Sequence, residues 1–158
     1  MIKIEEGGVK DCTAVLTVIQ AAFAPYKDDL QPPSGVFSET VQSLTTKCET
    51  NTLLLAKQDT NVVSCLFYTP QQDHPENLYF GRLAVLPSHQ KQGIAQQLVT
   101  QVEQIAREEG YENVVLYVRK ALPANVAFFQ SCGYEIYAEG THKGFTEPTY
   151  YKMAKSVQ

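Results

Sequence analysis

The residues best suited to chemistry stand together in Leu83-Ala-Val-Leu-Pro-Ser-His-Gln-Lys-Gln-Gly-Ile-Ala95. An apolar strand ends, a polar loop turns, and a glycine opens an amphipathic run. The first turn of a helix carries backbone N–H groups with no partner in the helix. The helix dipole adds partial positive charge there. The loop from Gln90 to Ala95 can therefore hold a pyrophosphate with main-chain donors. Gly93 lets the backbone approach the anion, Ala95 keeps a second approach small, and Lys91 adds a compact positive charge. No Gly-Lys-Ser/Thr follows, so this is not a P-loop. The three-glycine spacing of a dinucleotide site is also missing. Taken alone, the segment weighs equally as an ordinary strand–loop–helix joint.

No second constellation competes with it. His74, His89 and His142 are scattered, without metal-ligand spacing. No His–Asp pair supports covalent catalysis. Cys12, Cys48, Cys65 and Cys132 form no C-x-x-C pair and read as reduced, mostly buried thiols. Cys132 reads as core packing rather than as a nucleophile. The 158 residues suit one domain over 1–158, and 44% apolar residues suffice for a core. Thirteen Lys and Arg against seventeen Asp and Glu give a net charge of −4, which argues against a nucleic-acid binder. The first residues lack the apolar run of a signal peptide. No segment approaches a membrane span. The expectation is a soluble, cytoplasmic protein with no membrane partner.

The elements that must position the loop follow from periodicity. A strand at Ile2–Glu5 precedes a helix begun at Asp11, with Val15, Ile19, Ala22 and Phe23 on one face and Asp11 as its cap. Tyr26–Phe37 reads as a loop around Pro32-Pro33-Ser34-Gly35. Ser38 is the expected cap of a second helix bearing Val41, Leu44 and Cys48. Strands are predicted at Thr52–Ala56, Val62–Thr69 and Leu78–Leu86, with turns at Asp59–Asn61 and Pro70–Pro75. A helix from Gly93 to Gly110 carries Ile94, Leu98, Val102, Ile105 and Ala106. Asn113–Val118 reads as a strand buried on both faces. A helix at Leu122–Cys132 and strands at Gly133–Ala138 and Thr149–Ala154 complete an α/β chain.

Gln90-Lys-Gln-Gly93-Ile-Ala95 resembles the Gln/Arg-x-x-Gly-x-Gly/Ala signature of the GCN5-related N-acetyltransferases. Leu122-Pro-Ala-Asn-Val-Ala-Phe-Phe-Gln-Ser-Cys-Gly-Tyr134 is similar to the late helix of that family. Residues 78–134 carry the resemblance, and the first 70 match in element order only. It implies the GNAT fold: a mixed, mostly antiparallel, twisted sheet of about seven strands, flanked by four helices. A V-shaped opening between strands 4 and 5 would take acetyl-CoA as cosubstrate, with no metal. A bulge in the fourth strand would re-aim backbone groups. By position, Leu83, Ala84 and Val85 would face the pantetheine arm. Gln90, Lys91, Gln92, Gly93, Ile94, Ala95 and Gln96 would hold the pyrophosphate, and Asn125 and Phe128 would border the arm. The resemblance also allows a homodimer.

The implied reaction is direct attack of an amine on the thioester in a ternary complex. The backbone of Leu83 or a near neighbour would stabilise the oxyanion. The chain departs from the family at two positions. The usual late-helix Tyr is Phe129, and the fourth-strand Glu used by several members is Tyr79. Tyr79 and His142 are the substitute acid–base candidates. Tyr79 also reads as a packed strand aromatic, and His142 as a solvated loop histidine. Arg82 would orient an acidic substrate group or pair with Glu76. The 32–35 loop would shape the acceptor site or be a stiff turn alone, and the cluster Phe145, Tyr150 and Tyr151 would line the acceptor cleft, form a dimer seam or be a packed edge strand. The rival to an N-acetyltransferase for small-molecule or peptide amines is a CoA- or acyl-CoA-binding sensor or interaction module with little catalysis.

Overall fold

In the computed structural model, which describes residues 1–158, strands and helices alternate much as the periodicity predicts. They are β1 (Ile2–Glu6), α1 (Cys12–Phe23), α2 (Val41–Lys47), β2 (Thr52–Gln58), β3 (Asn61–Gln71), β4 (His74–Val85), α3 (Ile94–Glu108), β5 (Asn113–Arg119), α4 (Pro123–Ser131), β6 (Glu135–Gly140) and β7 (Tyr150–Ser156). The strands form one sheet in the order β1-β2-β3-β4-β5-β7-β6. β4 and β5 run parallel. β1–β2, β2–β3, β5–β7 and β6–β7 are antiparallel. This is the mixed seven-stranded, four-helix α/β architecture expected from the sequence.

The chain divides into two compact units, residues 1–69 with 80–102 and residues 70–79 with 103–158. In the first, α1 buries Val15, Val18 and Ile19 with Leu44 of α2 against Leu53, Leu55, Cys65 and Phe67. In the second, Leu78, Val114, Leu116, Val118 and Met153 are buried, at most 6% exposed. Val126 and Phe129 of α4 and Tyr134 are buried as well.

Four local expectations are corrected. Asp11 does not cap α1 with its side chain; its carboxylate accepts the Gly8 N–H at 2.9 Å. Thr40, not Ser38, caps α2, because its hydroxyl accepts the Ser43 N–H at 3.0 Å while Ser43 accepts the Thr40 N–H in return. The turn expected over 70–75 shrinks to Gln72-Asp73, with β3 and β4 extending on either side. Asp73 supplies the left-handed conformation (φ 70°), which Asp tolerates better than most residues, so two residues suffice. Finally, β5 is not buried on both faces, since Tyr117 is 40% exposed.

Candidate active site

The chemistry-bearing segment runs off the end of β4. Backbone groups along a strand point alternately to its two edges. The Ala84 carbonyl accepts the Ser64 hydroxyl at 2.7 Å, and the Leu86 N–H reaches the Val63 carbonyl at 2.8 Å. Ala84 and Leu86 thus face β3, and the main-chain groups of Leu83 and Val85 between them point to the other edge. The parallel ladder on that edge pairs Asn77–Tyr79 with Asn113–Val115, so Leu83 and Val85 lie beyond it. Gln90 reaches back along this edge and donates its Nε2 to the Val85 carbonyl at 3.0 Å. That side chain therefore ties the loop to the strand, a role beyond the pyrophosphate contact the resemblance implies.

The loop then enters α3 through two left-handed residues, Lys91 (φ 63°) and Gly93 (φ 81°). The first helical bond runs from the Gln97 N–H to the Gly93 carbonyl at 3.1 Å. The N–H groups of Ile94, Ala95 and Gln96 consequently have no carbonyl in their own helix. No atom lies within 4 Å of where a Gly93 Cβ would be. Gly93 is thus required by its backbone angle, and the space before the donors is open. Lys91 and Gln92 are exposed, with Gln92 turned back to the Ser88 carbonyl at 3.4 Å.

Arg82 is the one residue inside β4 with positive φ (58°), a conformation typical of the first residue of a bulge. Its guanidinium pairs with Glu39 and not with Glu76. Its Nε donates to Glu39 Oε2 at 2.9 Å, and Glu39 also accepts the Ser43 hydroxyl at 2.6 Å. Burial raises the Glu39 pKa, but the bonds from Ser43 and Arg82 and the Arg82 charge outweigh it and hold the carboxyl below its usual 4.5. A Cβ on Gly35 would sit 2.9 Å from Arg82 Nη2, so the glycine in the predicted 32–35 loop leaves room for this side chain. Glu39 was not foreseen, because its partner is 43 residues away.

In the second unit, Asn125 and Phe128 lie half-buried on α4 beside its buried stripe of Leu122, Val126 and Phe129. Phe129, where the family has its Tyr, is 8% exposed and packs on Phe128 and Tyr134 at 5.2 and 6.3 Å between ring centres. Tyr79 meets Tyr117 at 5.1 Å, Tyr117 meets Tyr150 at 5.5 Å, and Tyr150 meets His142 at 5.0 Å. Both substitute acid–base candidates therefore belong to one aromatic row. Gln71 donates to the Tyr117 hydroxyl at 2.9 Å and accepts from Asn77, which accepts from Asn113, each at 2.9 Å. His142 Nδ1 is engaged with the Thr149 hydroxyl. Burial and then the Arg119 charge press the His142 pKa below its ordinary 6.5, so the ring is neutral at neutral pH. Gln71 and Tyr117 escaped sequence reasoning, although a lone polar aromatic within Val-Val-Leu-Tyr-Val was a readable signal. No group of three or more His, Cys, Asp or Glu side chains gathers anywhere that would hold a metal. No helix is long and apolar enough to cross a membrane.

The profile of the acetyltransferase (GNAT) family matches residues 20–134, and the chain belongs to that family. The chain is 26% identical over 86 residues to the probable N-acetyltransferase 14 of Xenopus tropicalis, over 54% of this chain and 41% of that protein. It is 33% identical over 84 residues to N-acetyltransferase 8 of Rattus norvegicus, over 51% of this chain and 38% of that protein. The match thus spans about two fifths of those relatives' length. In fold, the chain is similar to the PaiA N-acetyltransferase of Thermoplasma acidophilum in complex with coenzyme A, with TM-score 0.80, 16% identity and 99% of both chains covered. It is also similar to the ribosomal-protein-S18-alanine N-acetyltransferase of Escherichia coli, with TM-score 0.78, 17% identity, and 99% and 94% of the two chains covered.

Proposed function

We propose that this protein transfers an acetyl group from acetyl-CoA to the primary amine of a small molecule or peptide, by direct attack in a ternary complex. One observation carries the reading. The chain leaves a β4 edge whose Leu83 and Val85 groups lie beyond the ladder and enters α3 through left-handed Gly93, ahead of three N–H groups without helical partners. A strand edge suits the amides of a pantetheine arm, and a helix start suits a pyrophosphate. In the reaction, the neutral amine attacks the thioester carbon, and the Leu83 N–H steadies the oxyanion. The C–S bond then breaks, the nitrogen loses a proton, and the thiolate gains one. His142, neutral at pH 7, and Tyr79 are the candidates for moving those protons.

A second reading has one specific observation behind it. Phe129 occupies the family's acid position and has no proton to give, which favours a CoA-binding sensor. Calorimetric titration with acetyl-CoA tests the shared part of both readings, with Gly93→Glu as the control. Micromolar binding that the carboxylate abolishes supports the donor site, and no binding to the wild type refutes it. Release of CoA in the presence of a panel of amines then separates enzyme from sensor.

A further inference from the structure

The second unit presents a sheet face that is covered at Val115 and open at Tyr117, which is 40% exposed. Register fixes its membership. Asn77 and Tyr79 of β4 stand level with Asn113 and Val115 of β5. Tyr117 and Arg119 of β5 stand opposite Lys152 and Tyr150 of β7. Those in turn stand opposite Ala138 and Gly140 of β6. Residues directly across a ladder share a face. The intervening residues, Leu78, Val114, Leu116, Val118 and Met153, form the buried opposite face.

The open face has a consistent chemistry. Its centre is the row Tyr79, Tyr117 and Tyr150, continued by His142. The Tyr150 ring lies across Gly140, where a Cβ would be 2.1 Å from Cζ. That strand position is therefore kept bare so that the aromatic can lie flat. The charged side chains of the face are the cations Arg119 and Lys152 toward one end and Glu135, which stands opposite Ala154, toward the other. Lys152 forms no ion pair; its ammonium stands 5.7 Å from the centre of the Tyr117 ring. The nearby Glu139 is bound instead to Lys120 at 2.7 Å. In a chain of net charge −4, two cations against one carboxylate leave a local excess of positive charge on an aromatic shelf, centred on Lys152 beside Tyr117.

From this complementarity we infer that the face selects an acceptor amine that carries a carboxylate beside an aryl group. The carboxylate meets Lys152 and the aryl part lies on Tyr117 and Tyr150. Arg119 adds long-range attraction. The inference rests on the acetyltransferase reading and supplies the substrate class that reading lacks. Ring stacking and a desolvated cation–carboxylate contact each favour the same ligand.

The test compares phenylalanine with 2-phenylethylamine, which lacks the carboxylate. Wild-type kcat/KM should favour the amino acid by at least about tenfold, the worth of one hydrogen bond to a charged group. Lys152→Met should collapse that ratio through KM, and Lys152→Arg should keep it. Unaltered acetyl-CoA binding in both variants shows that they fold. A second arm needs no turnover: N-acetylphenylalanine titrated into the protein should quench tyrosine fluorescence, and weaken about tenfold or more with Lys152→Met. A ratio near one, a ratio insensitive to Lys152, or no binding of N-acetylphenylalanine at millimolar concentration overturns the inference. Failure to bind acetyl-CoA overturns the enzyme reading instead, and the fluorescence arm still decides the face.

Discussion

Arg82 shows how one residue's role is decided by a partner that sequence distance hides. Its left-handed backbone belongs to β4, while its charge is held by Glu39 and its bulk is accommodated by Gly35. The pair has a defined pH dependence. Because the Glu39 pKa is depressed in the folded state, its stabilisation is present above the ordinary 4.5 and is lost as pH falls through the lower folded value. Glu39→Gln is expected to cost about 1–2 kcal/mol at pH 7 and progressively less below pH 4, read by urea denaturation at both values. His142 makes the opposite kind of prediction. If it removes the amine proton, it must be unprotonated, and its depressed pKa keeps it so below pH 6.5. The acid limb of kcat/KM should therefore lie under 6.5, and His142→Gln should remove that limb along with most of the rate. A limb unchanged in the variant would assign the proton transfer elsewhere.

Among the elements, α3 was the most legible, since its apolar stripe and flanking glycines mark both ends without tertiary help. Its start is also the most exacting. Gly93→Ala should cost about 1–2 kcal/mol, since an L-residue is forced to hold positive φ, and should weaken acetyl-CoA binding in the same titration. Loss of stability without loss of binding would mean that the loop serves the fold alone. Other elements were read less well for identifiable reasons. Ser38 and Thr40 are equally good caps by type, and the reciprocal bond with Ser43 decides for Thr40. The prolines at 70 and 75 masked a two-residue turn, because proline suits a strand position that need not donate. The strand β5 looked fully buried because four of its residues are, and only the register places Tyr117 on the open face. The donor segment was legible because its parts are contiguous. The aromatic row was not, because it is assembled from three strands and a loop.

At the scale of the molecule, each unit is held by its own means. The first relies on an apolar core between α1, α2 and the sheet. The second adds a polar anchor: the Tyr134 hydroxyl donates to buried Glu103 at 2.9 Å, and Lys155 reaches Glu103 at 3.0 Å and the Cys132 carbonyl at 2.9 Å. Burial and the Glu103 charge push the Tyr134 phenol far up, so it remains a donor. Removing the cation strands a carboxylate that is 5% exposed, whereas removing the phenol leaves the carboxylate paired. Lys155→Met should thus cost about 2–3 kcal/mol and Tyr134→Phe about 1–2, compared by thermal unfolding at pH 7.

The thiols of the chain bear on how its turnover can be followed. Cys12 and Cys65 are fully enclosed, and their sulfurs meet no solvent. Burial pushes Cys65 up to about 12, while burial and the neighbouring Cys12, 3.9 Å away, push Cys48 up to about 11. Cys132 is raised as well, chiefly by burial. Since the thiolate is the species that attacks a disulfide reagent, none of these three is a ready nucleophile near neutral pH. A chromogenic disulfide added during the reaction would therefore colour with the CoA set free, against a slow and nearly flat background from the protein itself.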